Sequence, residues 1–305
     1  VTAANAFETS IANLQRRQQD LSESQNRLTS GKRVAQASDD PVAAARAERA
    51  LASMVRSEAN QRALEASRNV MQQAETALGD ASELIQQARE VVVNAGDGSY
   101  DDSNRKTLAN ALKGMRDQLL SVANRTDGAG SYVFAGQGTD SPPFVDTPGG
   151  VVYRGAGGQS NAPSDEPLPL SVDGQQSWLA APNGTGPALS VFSVLDRIIG
   201  QLNTPGLTGD QIKQNVTDGL KDIDTLSNNL LTQRASAGET LNRTDSVETR
   251  ISATKLAAQT ERSNAEDLDM VQAVSDFQSK QSGYDAALKS YSLVQKLSLF
   301  QYLSA

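Results

Sequence analysis

The sequence contains no cysteine and no histidine. Without histidine there is no Ser-His-Asp or Cys-His nucleophilic site and no imidazole metal ligand. Without cysteine there are no disulfides, no thiolate chemistry and no structural zinc of the usual kind. Aromatic residues make up only 4% of the 305 positions, little for a compact globule of that length, while alanine and glutamine are plentiful. That balance points to long helices packed along narrow seams. Positive charge is in the minority, 28 Lys and Arg against 36 Asp and Glu for a net charge of -8, and the basic pairs are scattered among carboxylates. A broad nucleic-acid surface is therefore not expected. No segment reaches the ~18 consecutive apolar residues of a membrane span, so no membrane insertion is expected. The first residues, "VTAANAFETSIANLQRRQQD", lack the basic-then-apolar build of a cleaved secretory signal.

What is present is heptad spacing. Phe7, Leu14, Leu21 and Leu28 recur at it, with Ala4, Ile11, Gln18 and Gln25 at the partner positions, so two seam sites are polar. A second seam runs Leu64, Ser67, Met71, Ala74, Leu78, Ala81, Ile85, Ala88, Val92 and Ala95 in one phase. A helix from Pro41 to about Val93 would be roughly 80 Å long at about 1.5 Å per residue, which predicts a rod.

Between these two seams lies "RLTSGKRVAQASDDPVAAARAERA", residues 27–50, which stops one helix and starts another. Gly31 suits the left-handed C-terminal cap, and Lys32 and Arg33 suit the negative end of the helix dipole. Asp40 is a preferred N-cap and Pro41 fits the first helical position. Gly31, Asp40 and Pro41 are thus expected as hinge and caps, and Asp39 as a further cap residue.

Downstream, "NAGDGSYDDSN" ends the long helix and offers Asp102 or Ser103 as the next cap, before a seam of Leu108, Leu112, Met115, Leu119 and Val122. From residue 131 to about 187 the chain turns rich in Gly, Pro, Ser and Asp, with the β-type runs "SYVFAG", "VVYRG" and "LPLSVDG" and the only tryptophan, Trp178. Helices resume over 188–202. A capping box of Thr208 with Gln211 opens another long helix, whose seam includes Val216, Leu220, Ile223, Leu230, Leu241 and Ile251 and weakens at Arg234, Glu248 and Lys255. A second box, Ser263 with Glu266, is read as starting or restarting the last helix. There Val274, Phe277, Tyr284, Leu288 and Tyr291 keep the seam, and the final turns add Leu297, Leu299, Phe300 and Leu303 all round the helix. A helix apolar on every side must be buried, and pairing with the N-terminal helix covers only one stripe. The remainder calls for other subunits.

The fold expected is mainly α: an elongated rod of long coiled-coil-like helices formed by both chain ends, with a small β-rich domain inserted in the middle. Residues 1–34 with 267–305 are expected to form a terminal coiled-coil assembly domain, 35–130 with 188–266 an α-helical rod domain, and 131–187 a β-rich outer domain. The assembly interface expected is Phe7, Ile11, Leu14, Leu21 and Leu28 with Val274, Phe277, Tyr284, Leu288, Tyr291, Leu297, Leu299, Phe300 and Leu303.

"QNRLTSGKRVAQASDDPVAAARAERA" closely resembles the N-terminal signature of the bacterial flagellin family, and "SLVQKLSLFQYL" resembles the family's closing helix. "GSYVFAGQGTDSPPF", residues 130–144, is similar to a segment of the family's hook-filament junction subgroup, and "RASAGETLNR" to a motif of its later inner helix. The family usually has a few residues before the position of Val1. The resemblance implies an extracellular structural protein of the bacterial flagellum, exported by the flagellar type III apparatus without a cleaved signal and needing no cofactor. It implies a ring of copies of the chain, joining the first hook-associated protein to the flagellin filament, and a FlgN-type export chaperone holding the C-terminal helix beforehand. A filament flagellin subunit is the nearest alternative. An enzyme built on Glu266, Asp267 and Asp269 explains less, because those carboxylates read as first-turn charges of a capped helix, and a calcium loop at the same place lacks the glycine and final glutamate of an EF-hand; a free-standing coiled-coil adhesin or secretion translocator is a more distant alternative.

Overall fold

A computed structural model describes residues 2–138 and 141–303, and within these the side chains of residues 2–7 and 294–303 fall outside the description. The elements, in order, are α1 (Thr2–Ser30), α2 (Pro41–Ala95), α3 (Asp102–Ala123), β1 (Phe144–Thr147), β2 (Gly150–Tyr153), a π-helical turn (Gln175–Leu179), α4 (Val191–Leu202), α5 (Gly209–Glu266) and α6 (Met270–Leu303). The chain is mainly α with a small β region in its middle. It divides into two compact units, one of Val1–Ser57 with Ala253–Ala305 and one of Glu58–Ser252.

The larger unit is organised by the seam of α2. Leu64, Ser67, Met71, Ala74, Leu78, Ala81, Ile85, Ala88, Val92 and Ala95 are all buried, as the heptad spacing predicts. From α5 they meet Ile223, Leu226 and Leu230, and farther along Val247 and Ile251 pack with Leu64. The alternate alanines place only a methyl group at every second seam position from Ala74 to Ala95. The two helices run antiparallel, as their cross-links show: Arg89 pairs with Asp224, Gln86 bonds Ser227, Arg234 pairs with Glu75, and Arg68 pairs with both Asp245 and Glu248. Arg234 and Glu248, which interrupt the apolar pattern in the sequence, are therefore matched across the helix pair.

Helix α3 packs on α4, and the middle segment closes over both. The N-cap of α3 is Asp101, whose carboxylate accepts the Asn104 amide at 2.8 Å. This corrects the expectation of Asp102 or Ser103; Asp102 instead pairs with Arg105 and accepts the Gly206 amide. At the other end, Asn124 uses its side-chain amide as a surrogate strand, donating to Phe144 O at 2.8 Å and accepting Phe144 N–H at 2.9 Å. That contact holds β1, which pairs antiparallel with β2 in the register Phe144↔Tyr153 to Thr147↔Gly150. Only β2 overlaps a β-type run, sharing residues 151–153 with "VVYRG". "SYVFAG" and "LPLSVDG" contribute single bridges, such as Ala135↔Asp173, because too few consecutive residues find a partner strand.

The segment shares its core with the helices. Trp178 is fully buried, stacked on Phe192 of α4 at 6.2 Å and edge-on to Phe134 at 5.4 Å. Arg116 of α3 lies at the centre of the same region. Its guanidinium binds Asp146 of β1 with two bonds of 2.6 and 2.8 Å, and Asp196 of α4 through Nε at 2.6 Å. Three elements are thereby joined through one buried cation, which holds the Asp146 carboxyl below the ordinary range.

Candidate functional site in the smaller unit

In the smaller unit the helix stop is built as the sequence predicts. Gly31 takes φ +68°, a left-handed conformation costly for any residue with a Cβ, and its N–H closes on Arg27 O at 2.9 Å. Asp40 caps α2 by accepting the Val42 and Ala43 amides at 3.1 and 3.0 Å, with Pro41 at the first helical position. Asp39 is a turn residue rather than a cap of the helix, since its carboxylate accepts the Ala35 and Gln36 amides at 2.9 Å each. The Gln36 and Ala35 amides hold the Asp39 carboxyl below its usual range, and the Ala43 amide does the same for Asp40.

The second joint departs from the sequence reading. Helix α5 runs unbroken to Glu266, so Ser263 and Glu266 form no capping box. Ser263 donates to the Asp267 carboxylate, and the α6 cap is Asp269, which accepts the Val271 and Gln272 amides at 3.0 and 3.2 Å. Glu266 is committed elsewhere. Its carboxylate binds Lys32 Nζ at 2.7 Å and also accepts from Arg262, and Lys32 first, then Arg262, holds its carboxyl below the ordinary value.

The two joints are stitched to each other. Lys32 and Asp267 form an antiparallel bridge, and Leu268 N–H donates to Gly31 O at 3.0 Å. Arg33 and Val34 both donate backbone N–H to Glu266 O, at 2.7 and 3.3 Å, and the Arg33 guanidinium donates to Ala265 O at 2.7 Å. A helix leaves its last carbonyls without intrahelical partners. Here those of Ala265 and Glu266 are satisfied by Arg33 and Val34 of the α1–α2 joint, and Lys32 binds the Glu266 side chain, so Lys32 and Arg33 serve the end of α5 rather than that of α1. Arg33 also reaches back to Asp40 at 3.3 Å, tying the cap of α2 into the same cluster.

Beyond the joints, α1 and α6 pack antiparallel along each other. Ile11, Leu14, Leu21 and Leu28 are half-buried against this partner, as are Phe277, Tyr284 and Tyr291, while Gln18 and Gln25 face solvent. Gly283 permits the close approach: a Cβ there would sit 2.8 Å from Arg17 Nη1. Val274 and Leu288 lie off the observed seam, 43% and 41% exposed, beside Val271 at 85% and Leu293 at 61%. The side chains of Phe7, Leu297, Leu299, Phe300 and Leu303 lie outside the described residues. Among the described residues, no group of three or more His, Cys, Asp or Glu could hold a metal, and no helix is long and apolar enough to cross a membrane. The arrangement presents apolar surface beside a hydrogen-bonded joint.

Comparison with known proteins gives the same two ends. The profile of the bacterial flagellin N-terminal helical region matches residues 2–139, and that of the bacterial flagellin C-terminal helical region matches residues 220–303. Flagellar hook-associated protein 3 of Escherichia coli (strain K12) is 31% identical over 288 residues, 90% of each chain. A flagellin of Bacillus subtilis (strain 168) is 23% identical over 254 residues, 82% of this chain and 81% of its own. The solved structure of FlgL from Xanthomonas campestris shares the fold, with a TM-score of 0.59 and 22% identity over 71% of this chain and 99% of its own.

Proposed function

The chain belongs to the bacterial flagellin family, and we propose that it is the structural protein that joins the flagellar hook to the flagellin filament. The observation that carries this reading is the likeness along 90% of both chains to a hook-associated protein 3, against a weaker likeness to a flagellin. The family is structural, and the chain is read as a structural component of the flagellum, outside the cell, with no enzymatic role.

On this reading the terminal segments, 1–34 and 267–305, are the assembly part. Their half-buried seam is satisfied within the chain, while Val271, Val274, Leu288 and Leu293 remain for neighbours. The interface also takes in Phe7, Leu297, Leu299, Phe300 and Leu303. Copies of the chain form a ring, with the first hook-associated protein on one side and flagellin on the other. Residues 35–130 with 188–266 form the stem, and 131–187 the outer part. The chain leaves the cell through the flagellar type III apparatus, its C-terminal helix held by a FlgN-type chaperone before export.

The test is complementation. A strain lacking its junction protein, supplied with this chain, should regain filaments; without it, cells should carry bare hooks and shed flagellin into the medium. A junction protein needs different partners above and below, whereas a flagellin packs on itself without limit. Purified protein should therefore stay monomeric or form small oligomers even with filament seeds, and long tubes of this protein alone would favour flagellin.

A further inference from the structure

We propose that Asn183 is a site of spontaneous covalent modification, in which the backbone nitrogen of Gly184 displaces the side-chain amide and leaves aspartate or isoaspartate. The sequence holds one Asn-Gly pair, in "PNGTGP", residues 182–187. It lies at the tip of a hairpin closed by reciprocal bonds between Ala181 and Leu189, both 2.9 Å, and by Gly186 N–H to Asn183 O at 2.8 Å. Gly184 is exposed, at φ +55°, with no atom within 4 Å of the position a Cβ would occupy. Its N–H has no hydrogen-bond partner among the described residues, so the attacking nitrogen is neither held nor shielded.

Other asparagines differ at this point. The amide following Asn161 is bonded to Leu168 O at 2.8 Å, that following Asn203 to Gln201 O at 3.2 Å, and that following Asn124 to Val122 O at 3.1 Å. To react, each of those must first break a bond. Each is also followed by a residue with a Cβ.

The chemistry balances with water as the only co-reactant. Gly184 N loses its proton to solvent base and bonds to Asn183 Cγ; the Cγ–Nδ2 bond breaks, ammonia leaves, and a five-membered imide links residues 183 and 184. Water then opens the ring. Breaking the new Cγ–N bond gives aspartate, and breaking the original backbone C–N bond gives isoaspartate, whose main chain runs through Cβ. No electrons are transferred. Either product adds a negative charge to a chain that already carries -8. Isoaspartate also lengthens the hairpin by one carbon between Pro182 and Pro187.

The experiment uses the intact chain, aged in mildly alkaline buffer and mapped by peptide mass spectrometry with enzymatic isoaspartate methylation. The peptide containing Asn183 should gain the mass of an amide-to-acid conversion about tenfold faster than those containing Asn161 or Asn203, because a glycine nucleophile carries no Cβ. Asn183→Gln, which must close a larger ring, should remain unmodified at that position while its circular dichroism matches the parent chain. Conversion at Asn183 no faster than at Asn161 or Asn203, or an aged chain whose new charge lies elsewhere, would overturn the proposal.

Discussion

Arg116 lies on the buried face of α3, in the place the sequence seam gives to Met115, which is only half-buried. It stands four residues after Leu112 and three before Leu119, both fully buried, and is itself buried. A cation at seam spacing is the signal by which the sequence could have marked it, but its partners Asp146 and Asp196 are 30 and 80 residues away, and nothing local names them. Replacing Arg116 with Met should leave two carboxylates facing a neutral side chain. The cost should be about 2–3 kcal/mol, at or below the low end for breaking a buried ion pair, because water screens carboxylates that are about 40% exposed. Urea unfolding should show a lower midpoint with an unchanged slope; an unchanged midpoint would mean that the cluster contributes no net stability. Gly31 was legible, because a glycine just past a helical run is the residue that takes a left-handed cap without a Cβ penalty, whatever surrounds it. No atom lies within 4 Å of its missing Cβ, so Gly31→Ala tests backbone strain alone and should destabilise the joint by about 1–2 kcal/mol. Proteolysis at Lys32 and Arg33 should rise accordingly.

At the scale of elements, what was legible followed from local rules. The seam of α2, the Asp40–Pro41 start and the Thr208–Gln211 capping box each depend on residues a few positions apart, and each is present, the box with Thr208 N–H to Gln211 Oε1 at 2.9 Å. The Ser263–Glu266 box failed because a capping pattern inside a helix looks the same as one at its start. What decides between them is Lys32, 234 residues away, which takes the Glu266 carboxylate. The strands were half legible for a related reason: a β-type run becomes a strand only if the fold supplies a partner. The joint should respond to acid. Glu266, Asp39 and Asp40 all have carboxyls lowered in the folded chain, so their contribution is complete above the ordinary carboxylate range and is lost as pH falls through the lowered folded values. Hydrogen exchange of the Val34 and Leu268 amides should stay slow from neutral pH into mild acid and accelerate below about pH 4, apart from the intrinsic pH dependence. Glu266→Gln keeps the shape but loses the charge that binds Lys32 and Arg262. Its amides should exchange faster already at neutral pH, with a shallower acid response; a profile identical to that of the parent chain would remove Glu266 from the account.

For the whole molecule, folding and assembly can be separated, because different residues serve them. Phe277, Tyr284 and Tyr291 face α1 within the chain, whereas Val271, Leu288 and Leu293 face solvent. Substitutions at exposed positions usually change stability by no more than about 0.5 kcal/mol. The triple change of Val271, Leu288 and Leu293 to Asp should therefore leave the monomer's unfolding midpoint almost unaltered. If those side chains are buried by neighbouring subunits, the same change places unpaired charge in each interface, where burial is costly. Filament attachment and motility should then be lost. Phe277→Asp is the contrasting variant, since it strikes the α1–α6 pairing itself. That pairing rests on one narrow stripe with Gln18 and Gln25 exposed beside it, so it should open readily in the monomer. Brief trypsin treatment should cut the monomer first at the exposed Arg16, Arg17, Lys280 and Lys289, faster still in Phe277→Asp, while protein assembled with its flagellar neighbours resists at those sites. A triple variant that still carries full-length filaments would show that this face is not the interface. Equal resistance of the ends and the rest of the chain in a verified monomer would show that α1 and α6 hold each other without help.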